Sequence, residues 1–143
     1  MVEHILVAVD GSGPSRHAAR FALTLAKQVH AKVTLLTVLP QPDVLPLGPL
    51  SGYAVMSAPL TAEQMTQIEA RQSEIVAEHP GVAVTKIIEL GPVAETIVDL
   101  AKSMRADLVV LGARGLGPGR RFLLGSVSDS VVHHAHCPVT VWR

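Results

Sequence analysis

Short apolar runs alternate with amphipathic helical patterns along the whole chain. The runs are rich in aliphatic and β-branched residues, which favours strands, and the stretches between them repeat apolar positions every three or four residues, which favours helices. The pattern predicts five strands, at residues 5–9, 33–38, 82–88, 108–111 and 139–142. It predicts four helices, one beginning at Pro14, one over 63–78, one opening at Gly91-Pro92 and one over 126–134.

Strand and helix in alternation predict an α/β fold with a parallel sheet and right-handed crossovers. A chain of 143 residues is long enough for one domain with a full core. Its apolar runs of five or six residues suit strands covered on both faces and are too short to span a bilayer. We therefore expect a single-domain, open, parallel five-stranded sheet with helices on both faces and no membrane segment.

Residues 40–60, between the second predicted strand and the second predicted helix, interrupt the alternation of strands and helices. The segment holds five prolines and two glycines, and it is too long for an ordinary connection. It is also too apolar for a solvated linker. We expect a flexible, partly ordered loop or lid over the ligand cleft.

Charge and cysteine content limit the partners and the compartment. The 12 basic and 12 acidic residues balance, so no overall field attracts nucleic acid or an anionic membrane. The first residues run directly into a strand and leave no room for a signal peptide. The single cysteine, Cys137, excludes an internal disulfide and suits a reducing compartment. A cytoplasmic location is expected.

A glycine pattern follows the fourth predicted strand: Gly112 and Gly115, then nine residues, then Gly125-Ser126. Glycines let the backbone approach a ligand, and the unpaired N–H groups at a helix start attract phosphate. Ser126 either caps the helix or offers its hydroxyl to a phosphate oxygen. The pattern alone is equally typical of a nucleotide-phosphate site and of a glycine-rich turn before a capped helix.

Asp10 closes the first predicted strand as Gly112 closes the fourth. Ligands of open parallel sheets bind beyond the carboxyl ends of the strands, where chain order reverses. With strand order 3-2-1-4-5, both residues face that crevice. Asp10 would then bind a ribose hydroxyl or, through water, a magnesium ion held on phosphates; its other interpretation is to cap the following turn.

The loop after Gly112 supplies further candidates. Arg114 and Arg120 offer planar guanidinium groups that suit phosphate, and Gly117 lies between them.

Other motifs are absent or unconvincing. No G-x-x-x-x-G-K-[ST] follows the first strand, which excludes a P-loop NTPase, and the three-glycine dinucleotide fingerprint is missing. No triad, paired carboxylates or base for an attacking water is marked, so no catalytic residue is predicted, and any hydrolysis of a bound nucleotide would be slow or await a partner. A zinc site at His133, His134, His136 and Cys137 is disfavoured because adjacent helical residues point about 100° apart.

A wider set of segments carries a family resemblance: Ile5–Ser12, Thr37-Val38, Gly91-Pro92, Asp107–Gly112, the glycine pattern and Cys137-Pro-Val139. In these segments the chain resembles the nucleotide-binding subgroup of the universal stress proteins. The resemblance implies one domain of that kind over residues 1–143. The resemblance implies a Rossmann-like sheet of order 3-2-1-4-5, similar to the adenine nucleotide alpha hydrolases, together with bound ATP and a homodimer.

The resemblance also implies site residues. Asp10 lies near the ribose, and the backbones of Ala8 and Val38 approach the adenine. The phosphates are held by Gly112, Gly115, Gly125 and Ser126, with Val127 and Ser128 just beyond. Position 8 is often proline in the family and is alanine here, which is a mild departure.

The last strand is an edge that pairing with the same strand (138–142) of a second subunit would bury. Trp142 is a candidate anchor of that interface; alternatively, it packs on a helix of its own subunit. The sequence thus predicts a cytoplasmic, homodimeric, ATP-binding protein, with magnesium, whose nucleotide state controls a protein partner. Its stress role follows from the resemblance alone. The alternatives are a slow ATPase or a nucleotidyl or phosphoryl transferase, and an interaction module with a vestigial site.

Overall fold

The computed structural model describes residues 1–41, 44–46, 49, 53–55, 60–113 and 124–143. Its helices are α1 (Gly13–Val29), α2 (Ala62–Ala77), α3 (Val93–Ser103) and α4 (Ser126–His134). Its strands are β1 (His4–Ala8), β2 (Lys32–Leu39), β3 (Val44–Pro46), β4 (Tyr53–Val55), β5 (Val84–Leu90), β6 (Leu108–Gly112) and β7 (Val139–Trp142).

Five of these strands form one parallel sheet in the order β5-β2-β1-β6-β7. Numbered along the chain within that sheet, the order is 3-2-1-4-5, which confirms the predicted topology. Chain order reverses beside β1, between β2 and β6. The carboxyl ends of β1, β2 and β6 therefore meet at the edge where ligands of such sheets bind.

Helices cover both faces of the sheet, as predicted. Alternate strand residues point to opposite faces, so Val7 packs with α1 and α2 while Leu6 packs with α3 and α4. Leu23 of α1 and Ile97 of α3, at 0% and 1% exposed, are central to the two core layers. Val29, the last residue of α1, is 41% exposed, because the helix ends there and His30 turns the chain with a left-handed φ of 59°.

A short antiparallel hairpin, β3 with β4, was not predicted. It falls within residues 40–60, where the prolines argue against strands, and Pro46 itself lies in β3. The predicted flexible loop or lid falls largely outside the residues that the structure describes, and it stays a prediction.

Polar groups join the amino ends of the strands at the opposite edge of the sheet. The buried His4 ring donates from Nδ1 to the carbonyl of Met104 (3.2 Å), and its Nε2 accepts from the Thr34 hydroxyl (2.8 Å). Burial lowers the pKa of His4. The Asp107 carboxylate accepts from the amides of Glu3 and His4, both at 2.9 Å, and these bonds lower its pKa. This cluster stabilises the sheet far from its carboxyl edge.

No helix within the described ranges is both long and apolar enough to cross a membrane.

Candidate functional site

A cavity of about 330 Å³ opens at the carboxyl edge of the sheet, between β1, β2, β6 and the start of α4. We call it the α4 cavity. It brings together eight of the residues predicted for the site: Ala8, Asp10, Val38, Gly112, Gly125, Ser126, Val127 and Ser128. The topology alone explains this convergence, because the elements that carry these residues all end or begin at one edge.

The α4 cavity has an apolar part and a polar part. Its apolar walls come from β2, α3 and β6, through Leu36, Val38, Val93, Ile97 and Leu111. Its polar part is formed by Asp10, Ser15 and the first turn of α4. Such a division suits a ligand with a flat apolar group at one end and an anionic group at the other.

The first turn of α4 presents unbonded amides. Gly125 is the N-cap, with φ −63° and ψ 156°, and no side chain caps the helix. The first amide with a helical bond is that of Asp129, which donates to the Gly125 carbonyl at 2.8 Å. The amides of Ser126, Val127 and Ser128 donate to no acceptor within the described part of the chain. They form a ready anion site at the positive end of the helix dipole.

The capping role considered for Ser126 is wrong. Gly125 occupies the cap position, so Ser126 is the first residue of the helix, where its side chain cannot cap. Its side chain is exposed, and its hydroxyl has no hydrogen-bond partner among the residues that the structure describes. Ser128 is buried and donates from Oγ to the Gly125 carbonyl at 2.9 Å. Of the two serines, only Ser126 therefore offers an exposed hydroxyl.

Asp10 fulfils its alternative, structural interpretation. Its Oδ1 accepts from the amide of Ser12 at 2.9 Å, which stabilises the turn between β1 and α1. Gly11 within that turn has φ +84°, a left-handed conformation that favours glycine. Because Asp10 also lines the cavity, its contact with a ribose stays a prediction that the turn role does not contradict.

Gly112 has a packing role that the sequence did not reveal. A Cβ on this residue would lie 2.5 Å from both the Pro14 carbonyl carbon and the Ser15 nitrogen. The first turn of α1 therefore approaches the end of β6 closely because residue 112 has no side chain. The next amide, of Ala113, is already bonded to the Trp142 carbonyl at 2.7 Å.

Four predicted site residues, Arg114, Gly115, Gly117 and Arg120, lie outside the described residues. Their contact with phosphate stays a prediction. Among the described residues that line the α4 cavity there is no lysine or arginine.

The histidines near the end of α4 bond locally. His133 and His134 each donate from Nδ1 to the carbonyl four residues earlier, both at 2.8 Å. In the described ranges, no group of three or more metal-ligating side chains is placed to hold an ion. The Cys137 thiol is half-buried, and desolvation raises its pKa, which favours the protonated thiol over the thiolate.

Trp142 packs on its own subunit, as its alternative interpretation held. Its ring lies 5.6 Å from that of Phe21 and 6.5 Å from that of His17, both on α1. It remains 37% exposed, as does Phe21 at 36%. Together they leave an apolar surface beside the edge strand β7.

Sequence reasoning missed Ser15, which is 4% exposed and lines the cavity. Its Oγ donates to the Ser12 carbonyl at 3.0 Å and accepts from the Asp10 amide at 3.3 Å. The sequence could have indicated Ser15, because it lies in the first turn of the helix that follows Asp10. The apolar wall from α3 was also missed, because no local pattern shows which side of a buried helix faces a cavity.

Comparison with known proteins supports one family. The family model that matches residues 1–143 is that of the universal stress protein family. Universal stress protein MJ0531 of Methanocaldococcus jannaschii is 35% identical over an alignment of 144 positions that covers 99% of this chain and 82% of that protein. Putative universal stress protein SH1215 of Staphylococcus haemolyticus is 34% identical over an alignment of 145 positions that covers 99% of this chain and 84% of that protein.

Solved structures share the fold. Universal stress protein UspA from Lactobacillus plantarum superposes with a TM-score of 0.75 and 28% identity, covering 99% of this chain and 98% of that one. A universal stress protein in complex with cAMP gives 0.73 and 22%, covering 99% and 97%. The Archaeoglobus fulgidus universal stress protein in complex with dAMP gives 0.68 and 21%, covering 100% and 98%.

Proposed function

This chain belongs to the universal stress protein family, and we propose that it is a regulatory member that binds ATP in the α4 cavity. The observation that carries the proposal is the set of amides at the start of α4, without acceptors in the described chain, beside an apolar-walled cavity. Binding of ATP would change the surface that a protein partner meets.

We assign one part of the nucleotide to each part of the cavity. The adenine would lie against Val38 and the apolar wall from α3, with the backbone of Ala8 beside it. The ribose would lie at Asp10, and the phosphates at the amides of Ser126, Val127 and Ser128. Phosphates favour that position because the amides and the helix dipole both attract negative charge. Magnesium would bind on the phosphates, with Asp10 reaching it through water.

Two proteins of this fold add support, since one is described in complex with cAMP and another with dAMP. Their likeness to this chain is one of fold. They favour an adenine nucleotide and leave the number of phosphates to experiment.

Regulation is favoured over turnover by the chemistry of the walls. Asp10 is the sole titratable side chain among the described residues that line the α4 cavity, and one of its oxygens is used by the Ser12 amide. Turnover would need a general base that is positioned to take a proton from the attacking water. Among the described residues of the walls, Asp10 is the sole candidate for that role.

The first experiment identifies the ligand. Freshly purified protein is denatured, and the released small molecules are analysed by mass; we expect an adenine nucleotide, with ATP foremost. Nucleotide-free protein should then bind ATP saturably in calorimetry, more tightly than cAMP. Protein that releases no nucleotide and shows neither heat nor a thermal shift with ATP would be an interaction module instead. Turnover of labelled ATP would favour the enzyme alternative, a slow ATPase or a nucleotidyl or phosphoryl transferase.

We also propose a homodimer through β7. This strand is paired on one side, by β6, and lies at the edge of the sheet beside the exposed rings of Trp142 and Phe21. An edge of this kind is stabilised by pairing with a second copy.

Light scattering on the purified protein should give about twice the 15.1 kDa mass of the chain. The amides of Val109 and Ala113 donate to the carbonyls of residues 138 and 142, so the backbone groups of Val141 face away from β6. Val141→Pro should therefore remove an outward N–H and shift the mass toward a monomer, with circular dichroism showing that the fold persists. A wild-type mass of one chain at micromolar concentration contradicts the dimer.

A further inference from the structure

A second cavity, of about 250 Å³, lies between α1 and α2 at the same edge of the sheet. We call it the α2 cavity. It opens on the other side of the carboxyl ends of β1 and β2, and the predicted nucleotide residues account for little of it. Its walls include Arg16 of α1 and four residues of α2: Ile68, Arg71, Gln72 and Ile75.

Two guanidinium groups give the α2 cavity a positive charge. No described carboxylate lies within salt-bridge distance of Arg16 or Arg71. Arg71 reaches the turn between β1 and α1, since a Cβ on Gly11 would lie 3.0 Å from its Nη1. Asp10 is the one carboxylate among the described lining residues. Within the described walls, two permanent positive charges against one negative charge favour an anion, and guanidinium suits carboxylate and phosphate alike.

Gln72, which lines the same walls, carries an unsatisfied acceptor. The residue is 2% exposed. Its Nε2 donates to Thr37 Oγ1 at 3.0 Å and to the Ile87 carbonyl at 3.3 Å, so the orientation of the amide is fixed by acceptors. Its Oε1 is buried and has no hydrogen-bond partner within the described residues. A buried acceptor without a donor is rare in folded proteins, and a ligand that brings a donor would satisfy it.

The remaining walls are apolar and enclose little space, so the part of the ligand between its polar groups must be short and apolar. Ile68, Ile75 and Val38 face the space. Its volume is below the range of about 300–1,000 Å³ that holds drug-sized ligands.

We propose that the α2 cavity binds a small hydroxylated anion, either a hydroxycarboxylate or a phosphate monoester. Its anionic group pairs with Arg71 and Arg16, and its hydroxyl donates to Oε1 of Gln72. This site does not depend on the nucleotide proposal, because its two arginines and its acceptor lie on α1 and α2 rather than on α4.

The test is a titration followed by NMR, read at the Gln72 side-chain amide and the Arg71 Nε–H. The probes are 3-hydroxybutyrate and glycerol 3-phosphate, which distinguish a carboxylate from a phosphate. Butyrate lacks the hydroxyl and glycerol lacks the charge. We expect saturable binding of at least one hydroxylated anion. If the site prefers the carboxylate probe, butyrate should bind about fivefold more weakly than 3-hydroxybutyrate, because it lacks the hydroxyl. Glycerol, which lacks the charge, should not bind.

Variants assign that binding to the α2 cavity. Arg71→Ala should weaken the preferred probe about tenfold, because a charge-assisted hydrogen bond is lost. Lys27→Ala also removes one positive charge, in the last turn of α1 and about 16 Å along the helix from Arg16. It should leave the affinity of the probe unchanged. Ser126→Pro, which alters the α4 cavity, should also leave the probe's affinity unchanged. No saturable binding of either probe, or equal binding by Arg71→Ala and the wild type, would overturn the proposal while leaving the nucleotide site untouched.

Discussion

Gly112→Ala is expected to lower the free energy of unfolding by about 3 kcal/mol, at the upper end of the usual cost of overpacking. The added Cβ would lie 2.5 Å from the Pro14 carbonyl carbon and the Ser15 nitrogen. Both are backbone atoms, so no side-chain rotation relieves the clash, and the first turn of α1 must move away from β6. Denaturant unfolding with linear extrapolation measures the loss.

Gly13→Ala is the matched control. A Cβ at residue 13, the first residue of α1, meets nothing within 4 Å. Its free energy of unfolding should equal that of the wild type or exceed it by about 0.5 kcal/mol, since alanine restricts the unfolded chain. Equal stability of Gly112→Ala and the wild type would show that the start of α1 adjusts freely, and the packing role of Gly112 would be wrong.

Ser126→Pro is expected to weaken ATP binding about tenfold to a hundredfold. Proline removes one of the amides proposed to hold the phosphates, and a hydrogen bond to a charged group contributes about 1.5–3 kcal/mol. The helix should persist, because proline is favoured at the first helical position and needs no donor there. The preceding residue, Gly125, already has the extended conformation that a following proline demands, with φ −63° and ψ 156°.

Ser126→Ala separates the amide from the hydroxyl. It keeps the N–H and removes only Oγ, so its loss of ATP affinity should be clearly smaller than that of Ser126→Pro. Calorimetry gives the affinities, and melting temperatures show that both variants are folded. A folded Ser126→Pro protein with wild-type ATP affinity would place the phosphates elsewhere.

The central strands β1, β2 and β6 could be predicted from the sequence because they are buried on both faces. Apolar runs in such strands are continuous, so their number and positions are visible in the chain. The bounds of α4 and β7 agree with the predicted 126–134 and 139–142. The hairpin of β3 and β4 was missed because Pro46 lies in a strand, against the local preference of proline.

The candidate site was predictable where topology determined it. Once strands one and four are neighbours, Asp10 and Gly112 must share an edge, and the structure places both at the α4 cavity. Contacts that depend on helix packing were not predictable. Gln72 looks like a surface residue of an amphipathic helix, yet the packing of α2 against β2 and β5 buries it. The capping role of Ser126 failed by one residue, because Gly125 takes that position.

The two cavities are not separate compartments, since Val9, Asp10, Ser15, Val38 and Pro40 line both of them. A ligand that shifts this common wall on one side would alter the free energy of binding on the other. Thermodynamic reciprocity would then require the proposed anion to change the dissociation constant of ATP by the same factor by which ATP changes that of the anion. The abundance of a small metabolite would thus set the nucleotide concentration at which this protein responds.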